Sequence, residues 1–202
     1  MTIINLSDGN SVLNQYLAEI RDKDIQKNHM RFRRNLERMG EIFAYEISKK
    51  LNYKTVEVTT PLGIAQSRVL ADEIVLGTIM RAGLPLHNGL LNYFDNAQNA
   101  FVAAFRKYGK DNKFDIKMEY FTSPAIDGKV LILADTMLAT GASLVLAYQK
   151  LMEKGTPVHT HIVCPISSSY GVEYLSKTLP HKSITYWTAA IDEELTNKSY
   201  IV

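Results

Sequence analysis

The residues best suited to chemistry lie between Lys129 and Lys154, in the segment KVLILADTMLATGASLVLAYQKLMEK. An apolar run from Val130 to Ala134 ends in the acid Asp135. Small or hydroxylated residues follow through Ser143, and Leu144, Ala147, Tyr148 and Leu151 then recur at helical spacing. Ala139, Thr140, Gly141, Ala142 and Ser143 carry little bulk, so backbone N–H groups can approach a ligand closely, and Thr140 and Ser143 add hydroxyl donors. With a helix amino terminus directly behind it, such a loop makes a cradle for an anion, a phosphate above all. Asp135, at the carboxyl end of the strand, can accept hydrogen bonds from two neighbouring sugar hydroxyls. The segment is neither GxxxxGK[ST] nor GxGxxG. Taken alone, it reads equally well as a helix cap after a strand.

Two arginines occupy comparable positions. Arg81 follows the apolar run IVLGTIM and precedes Ala82-Gly83, and Arg106 follows AFVAAF. Each by itself reads as a surface charge. Two arginines and Asp135 at three strand ends converge on one edge of a sheet, which three unrelated decorations explain poorly. His159 and His161 share one face of a strand with no third ligand nearby, so they read as ordinary histidines and no protein metal site is expected. Cys164 reads as a small buried hydrophobe. Arg31, Arg33, Arg34 and Arg38 crowd one helix together with Glu37, Glu41 and Glu46, the pattern of a solvated or subunit-contact face rather than an RNA-binding one.

The elements that must position these groups are legible in the hydrophobic pattern. Phe32, Leu36, Met39, Phe43 and Ile47 mark one face of a helix that ends near Leu51–Asn52. KTVEVTT alternates, while IVLGTIM, AFVAAF, KVLILAD, HIVCPI and SITYWTA are near-continuous apolar runs, as in strands buried on both faces. Helices are expected at Leu84–Tyr93, Gly141–Lys154 and Tyr170–Thr178. Strands alternating with helices at this spacing predict an α/β fold with a mostly parallel, doubly wound sheet, whose ligands bind at the carboxyl ends of the strands. The polar segment Tyr108–Thr122 is expected to be a mobile hairpin over the site.

Composition narrows the function classes. Across 202 residues, 23 Lys+Arg against 21 Asp+Glu leave a net charge of +2, and 46% of residues are hydrophobic. That excludes a disordered chain and a polybasic coat for nucleic acid. A single cysteine excludes an internal disulfide framework and suits a reducing, cytoplasmic compartment. No stretch approaches the length of a membrane span and the amino terminus lacks a signal pattern, so no membrane partner is expected.

At the level of motifs the chain resembles the phosphoribosyltransferases of type I, whose signature is an apolar strand, an acid and a Thr-Gly loop. The single acid of DTMLATGAS is similar to the uracil-specific members. So are RDKDIQKNHMRFRRNL with AYEI, VTTPLG, IMRAGLPLHNGLL, AFRK and the carboxyl-terminal LTNKSYIV, in the same order. The resemblance implies transfer of ribose 5-phosphate from 5-phosphoribosyl 1-diphosphate (PRPP) to uracil, giving UMP and diphosphate, with Mg²⁺ bound through PRPP. It assigns Asp135 to the ribose hydroxyls and Thr136, Met137, Leu138, Ala139, Thr140, Gly141, Ala142 and Ser143 to the 5-phosphate. Arg81 and Arg106 fall to PRPP, and Ile201 to the uracil pocket. It also implies one domain over residues 1–202 with a small hood from about 1–30 and 180–202. A homodimer or higher homo-oligomer follows, for which the apolar amino-terminal helix offers a contact, and a GTP-type effector. In the family a proline and a glycine-rich Gly-Asp-Ala stretch that reads the base follow Tyr-Ile-Val, and such a stretch is expected to follow Val202. Ala142 stands for a more usual glycine, and Pro85-Leu86-His87-Asn88 reshapes the second PRPP loop.

Two rivals remain at this level: a phosphoribosyltransferase for another base, and a regulatory protein that keeps the PRPP fold and binds RNA. The site assignment predicts that Asp135→Asn and Arg106→Ala each lose activity strongly in steady-state assays while circular dichroism stays native. Near-normal turnover of both variants would overturn it.

Overall fold

The computed structural model describes residues 1–108, 114–180 and 182–193, with only the backbone of 104–108 and 114–118. The chain begins with β1 (Thr2–Asn5), α1 (Val12–Arg21) and α2 (His29–Ser48), followed by β2 (Tyr53–Thr60), β3 (Gly63–Leu70) and β4 (Ile74–Met80). Its middle third holds α3 (Leu84–Leu91), β5 (Gln98–Tyr108), β6 (Phe114–Thr122), β7 (Val130–Ala134), β8 (Met137–Leu138) and α4 (Ala142–Met152). It continues with β9 (His159–Val163), β10 (Ile166–Ser168), α5 (Ser169–Thr178), β11 (Ile184–Thr188) and β12 (Ala190–Asp192).

The main sheet has seven strands in the order β1-β11-β9-β7-β4-β5-β6, parallel throughout except for β6 at the edge. The α/β, mostly parallel reading therefore holds. Its central strand β7 is buried along its length, and its side chains alternate between two cores. Val130, Ile132 and Ala134 join one with α1, α2 and α3, and Leu131 and Leu133 join the other with α4 and α5. This double burial is why the strand reads as a continuous apolar run.

Helix α2 buries Leu36, Met39, Phe43 and Ile47 and leaves Phe32 half-buried. Each fully buried side chain of this kind contributes roughly 1.5–3 kcal/mol. The stripe faces the interior of its own chain, so it is not free to serve as a subunit contact. Asn28 caps the helix by accepting from the Arg31 amide at 3.0 Å. Glu19 of α1, buried, accepts from the Arg31 guanidinium at 2.8 and 2.6 Å, from Asn35 at 2.6 Å and from Gln15 at 3.0 Å. The Arg31 bonds foremost hold its carboxyl down at about 2. This stability is present at neutral pH and is lost only in strong acid.

Three differences from the sequence reading have physical causes. HIVCPI is two strands in two sheets, β9 and β10, because Pro165 has no N–H to continue a central ladder. KTVEVTT lies outside the main sheet, in an exposed antiparallel ribbon of β2 and β3 whose tip, Leu62, is fully exposed. Among the described residues expected in the hood, those of β1 and β11 pair within the main sheet, while Ile20 of α1 and Gln26 of the turn after it lie over the strand ends.

Helices α2 and α3 cross at two glycines. A Cβ on Gly40 would run into the Leu86 carbonyl, and one on Gly89 into that of Glu37. Alanine favours a helix, yet Gly40→Ala is expected to lower unfolding free energy in urea by roughly 1–3 kcal/mol through overpacking. An unchanged or raised midpoint would refute this account of the crossing.

Candidate active site

At the carboxyl edge of the sheet the chain builds an open cavity of about 850 Å³. Arg81, Ala82, Pro85, Thr136, Met137 and Ile166 line its sheet side, and Ile20 of α1, Gln26 of the turn after it and Met30, Phe32, Arg33, Arg34 and Glu37 of α2 close it from the other side. The structure thus brings Arg81 together with the start of the Thr136–Ser143 loop. The ends of β4 and β7 are joined by the Thr78 hydroxyl, which donates to the Ala134 carbonyl at 3.2 Å.

Asp135 stands one residue beyond β7. Its amide still donates to Val163 of the neighbouring strand at 3.0 Å, and its carboxylate accepts from the Thr136 amide at 2.7 Å. Burial outweighs that hydrogen bond and pushes the carboxyl up to about 7. The charged form has the Thr136 amide as a partner, and ligand hydroxyls would supply more.

The loop after Asp135 is more ordered than a bare turn. Met137 and Leu138 form β8, which pairs with β10 in a small parallel sheet completed by β12. Leu138 is buried in the core, so towards a ligand it has only backbone to offer, whereas Met137 is exposed. Gly141 takes the left-handed conformation at φ +80° and precedes the first turn of α4, where no side chain caps the free amides. A Cβ there would be strained and would press on the Tyr174 ring at 3.0 Å. Ala142 and Ser143 lie in that first turn, half-buried.

The remaining candidates divide. Arg106 lies on β5 with its backbone opposite Ile116, and its side chain is outside the described residues. Ile201 also lies outside them, as do 109–113 at the tip of the expected lid, whose flanking β5 and β6 form an antiparallel hairpin. Cys164 is buried in the core behind Asp135. His161 is buried, accepts from the Trp187 indole at 3.0 Å and is held neutral, its pKa pushed down to about 3 by burial first. His159 bonds the Thr185 hydroxyl at 3.0 Å. Pro85 to Asn88 lie in α3 and not in a loop; His87 points inward to Asn99 at 2.7 Å, while Asn88 reaches the cavity.

Sequence reasoning missed Arg33 and Arg34. Their helix carries enough acid to read as a mixed surface, and at the cavity it stays mixed, since Arg34 pairs with Glu37 at 2.8 Å and both line it. Glu41 accepts from Asn92 at 3.0 Å on the α3 side and Arg38 lies over the Tyr16 ring, leaving Arg33 and Arg34 toward the cavity. The cluster RFRR carried the signal, and only the helix's orientation could separate its arginines.

Comparison with known proteins agrees with this geometry. Residues 8–202 match the family described as uracil phosphoribosyltransferase. The uracil phosphoribosyltransferase of Porphyromonas gingivalis is 52% identical over 202 residues, covering 100% of this chain and 93% of that protein. The AQ2163 protein from Aquifex aeolicus has a TM-score of 0.88 at 26% identity, over 99% of this chain and 92% of its own. A hypoxanthine phosphoribosyltransferase from Staphylococcus aureus shares the fold, with a TM-score of 0.50 at 10% identity over 79% of this chain and 74% of that one.

The raised pKa of Asp135 sets a direction for pH. Between its ordinary value of 3.8 and about 7 the folded chain keeps a proton that the unfolded chain has lost, so stability falls as pH rises through that window. Carboxyl ¹³C NMR of the ligand-free protein is expected to show Asp135 titrating near 7. A midpoint in the ordinary carboxylate range would refute the burial argument.

Proposed function

This chain belongs to the uracil phosphoribosyltransferase family, and on that basis we propose that it joins uracil to the ribose 5-phosphate group of PRPP, releasing diphosphate. The observation that carries the reading is Asp135, a carboxylate with one backbone partner at the end of β7, at the start of a loop that shares a cavity with Arg81 and leads into the uncapped first turn of α4.

In this reading the amides and hydroxyls of Thr136 to Ser143 hold the 5-phosphate, and Asp135 accepts from the two ribose hydroxyls. Arg81 and Arg106 hold the diphosphate through guanidinium forks, whose planar donors match phosphate oxygens. The bond from the anomeric carbon to the diphosphate oxygen breaks, uracil N1 bonds that carbon, and the N1 proton is released. No protein nucleophile is required. Positioning and stabilisation of the leaving anion lower the barrier, and Arg33 adds positive charge to the same cavity, where Arg34 is paired with Glu37. In the same reading Ile201 contacts uracil.

Mg²⁺ fits this donor set. Among the described residues no group of three His, Cys, Asp or Glu could cage a metal, and Asp135 is the carboxylate at the loop. The ion would be held mainly by PRPP oxygens and water and would neutralise the diphosphate. A homo-oligomer is supported by the β2–β3 ribbon. Two strands alone are marginal in water, and Val58, Leu62, Ile64 and Val69 are exposed, as suits a surface that a second copy covers. A GTP-type effector and a cytoplasmic setting belong to the same reading, the latter supported by the buried free thiol of Cys164. Among the described residues no helix is long and apolar enough to cross a membrane.

With PRPP and Mg²⁺, uracil is expected to give UMP, and orotate and hypoxanthine no nucleotide. Product from either of those bases in preference to uracil would overturn the base assignment. Salt-dependent RNA retention without PRPP turnover would favour the regulatory rival.

A further inference from the structure

We propose that Ser168 is a positioning residue for the phosphate loop, fixing the Ala139 peptide so that its amide side faces the bound 5-phosphate. The inference rests on the assignment of Thr136–Ser143 to that phosphate. Ser168 ends β10 and caps α5. Its hydroxyl accepts from the Gly171 amide at 2.9 Å and donates to the Ala139 carbonyl at 2.5 Å. A hydroxyl has one proton to give, and Ser168 is fully buried, so water cannot take over the donation.

The consequence follows from peptide planarity. The Ala139 carbonyl and the Thr140 N–H belong to one trans unit and point in opposite directions. A carbonyl drawn inward to α5 turns the Thr140 N–H outward, away from the helix and toward the open side of the loop. Left unanchored, the same unit can flip and present carbonyl oxygen to an anion, which repels it.

Neighbouring geometry serves the same contact. β10 already pairs with β8, Ile166 against Met137 and Ser167 against Leu138, so the side chain of Ser168 extends this attachment one step further along the loop. The first turn of α5 comes close only because residue 171 is glycine: a Cβ there would lie 2.6 Å from the Ala139 carbonyl oxygen and 2.9 Å from Leu138 Cγ. The loop thus has a buried face held by α5 and an amide face left for ligand.

Ser168 as a helix cap alone would look similar, and Ser168→Gly separates the two roles. Glycine is a tolerable cap, but it removes the donor to Ala139. Calorimetric titration with ribose 5-phosphate tests the loop, and titration with inorganic diphosphate tests the arginine side, both with Mg²⁺ present. We expect Ser168→Gly to weaken ribose 5-phosphate by roughly threefold to tenfold, the effect of one buried hydrogen bond, and to leave diphosphate affinity unchanged. Gly171→Ala, which keeps the hydroxyl but pushes on Ala139, should show the same selective loss, and it decides the matter if Ser168→Gly does not fold. Unchanged ribose 5-phosphate affinity, or equal weakening of both ligands, would overturn the proposal. Wild-type protein that binds neither ligand would instead refute the phosphoribosyl reading itself.

Discussion

Strand β7 runs through the middle of the sheet with every residue from Val130 to Ala134 inaccessible to water, bonded to β4 on one side and β9 on the other. A polar side chain has no place inside such a strand without a partner, because desolvation costs more than the ladder returns. The first ionisable position is therefore Asp135, where the strand leaves the two cores. The burial that makes β7 stable also raises the Asp135 carboxyl to about 7. Stability and readiness to accept ligand hydroxyls come from the same desolvation, acting in opposite senses on the empty protein.

Holding a strongly anionic substrate on a chain of net charge +2 places the burden on directed dipoles and a few local cations. Backbone amides bind an anion well only when the backbone itself is held. Here the holding is done from behind, by the small sheet of β8, β10 and β12 and by the first turn of α5. Arg21 of α1 grips Asp192 of β12 through two hydrogen bonds at 3.0 and 2.8 Å, so the covering helices are tied to that small sheet as well. The Glu19 cluster then fixes α1 against α2 and brings Arg33 and Arg34 over the cavity. Polar contacts scattered along the sequence thus join into one frame around the site.

Much of this was legible in one dimension. The alternation of apolar runs with helical periods specified the parallel sheet, since strands covered on both faces must be apolar throughout. The acid, the small residues and the following helix marked the candidate anion site, since that chemistry is local. Harder to see were the features that depend on which way an element faces. The stripe on α2 was visible, but its burial within the chain was not. Acids and bases on that helix cancel in a count, and which of them reach the cavity depends on the sides that α3 and α1 take up.

From the sequence alone came the fold class and the proposal of a phosphate loop beginning at Asp135, because each depends on residues adjacent in the chain or on hydrophobic period. Tertiary structure decided the rest. It broke HIVCPI into two strands at Pro165, set the β2–β3 ribbon outside the main sheet, turned Arg33 and Arg34 toward the cavity and placed Ser168 behind Ala139, 29 residues away. Such contacts form between groups far apart along the chain. Their strength depends on distance and direction in space, which local pattern does not encode.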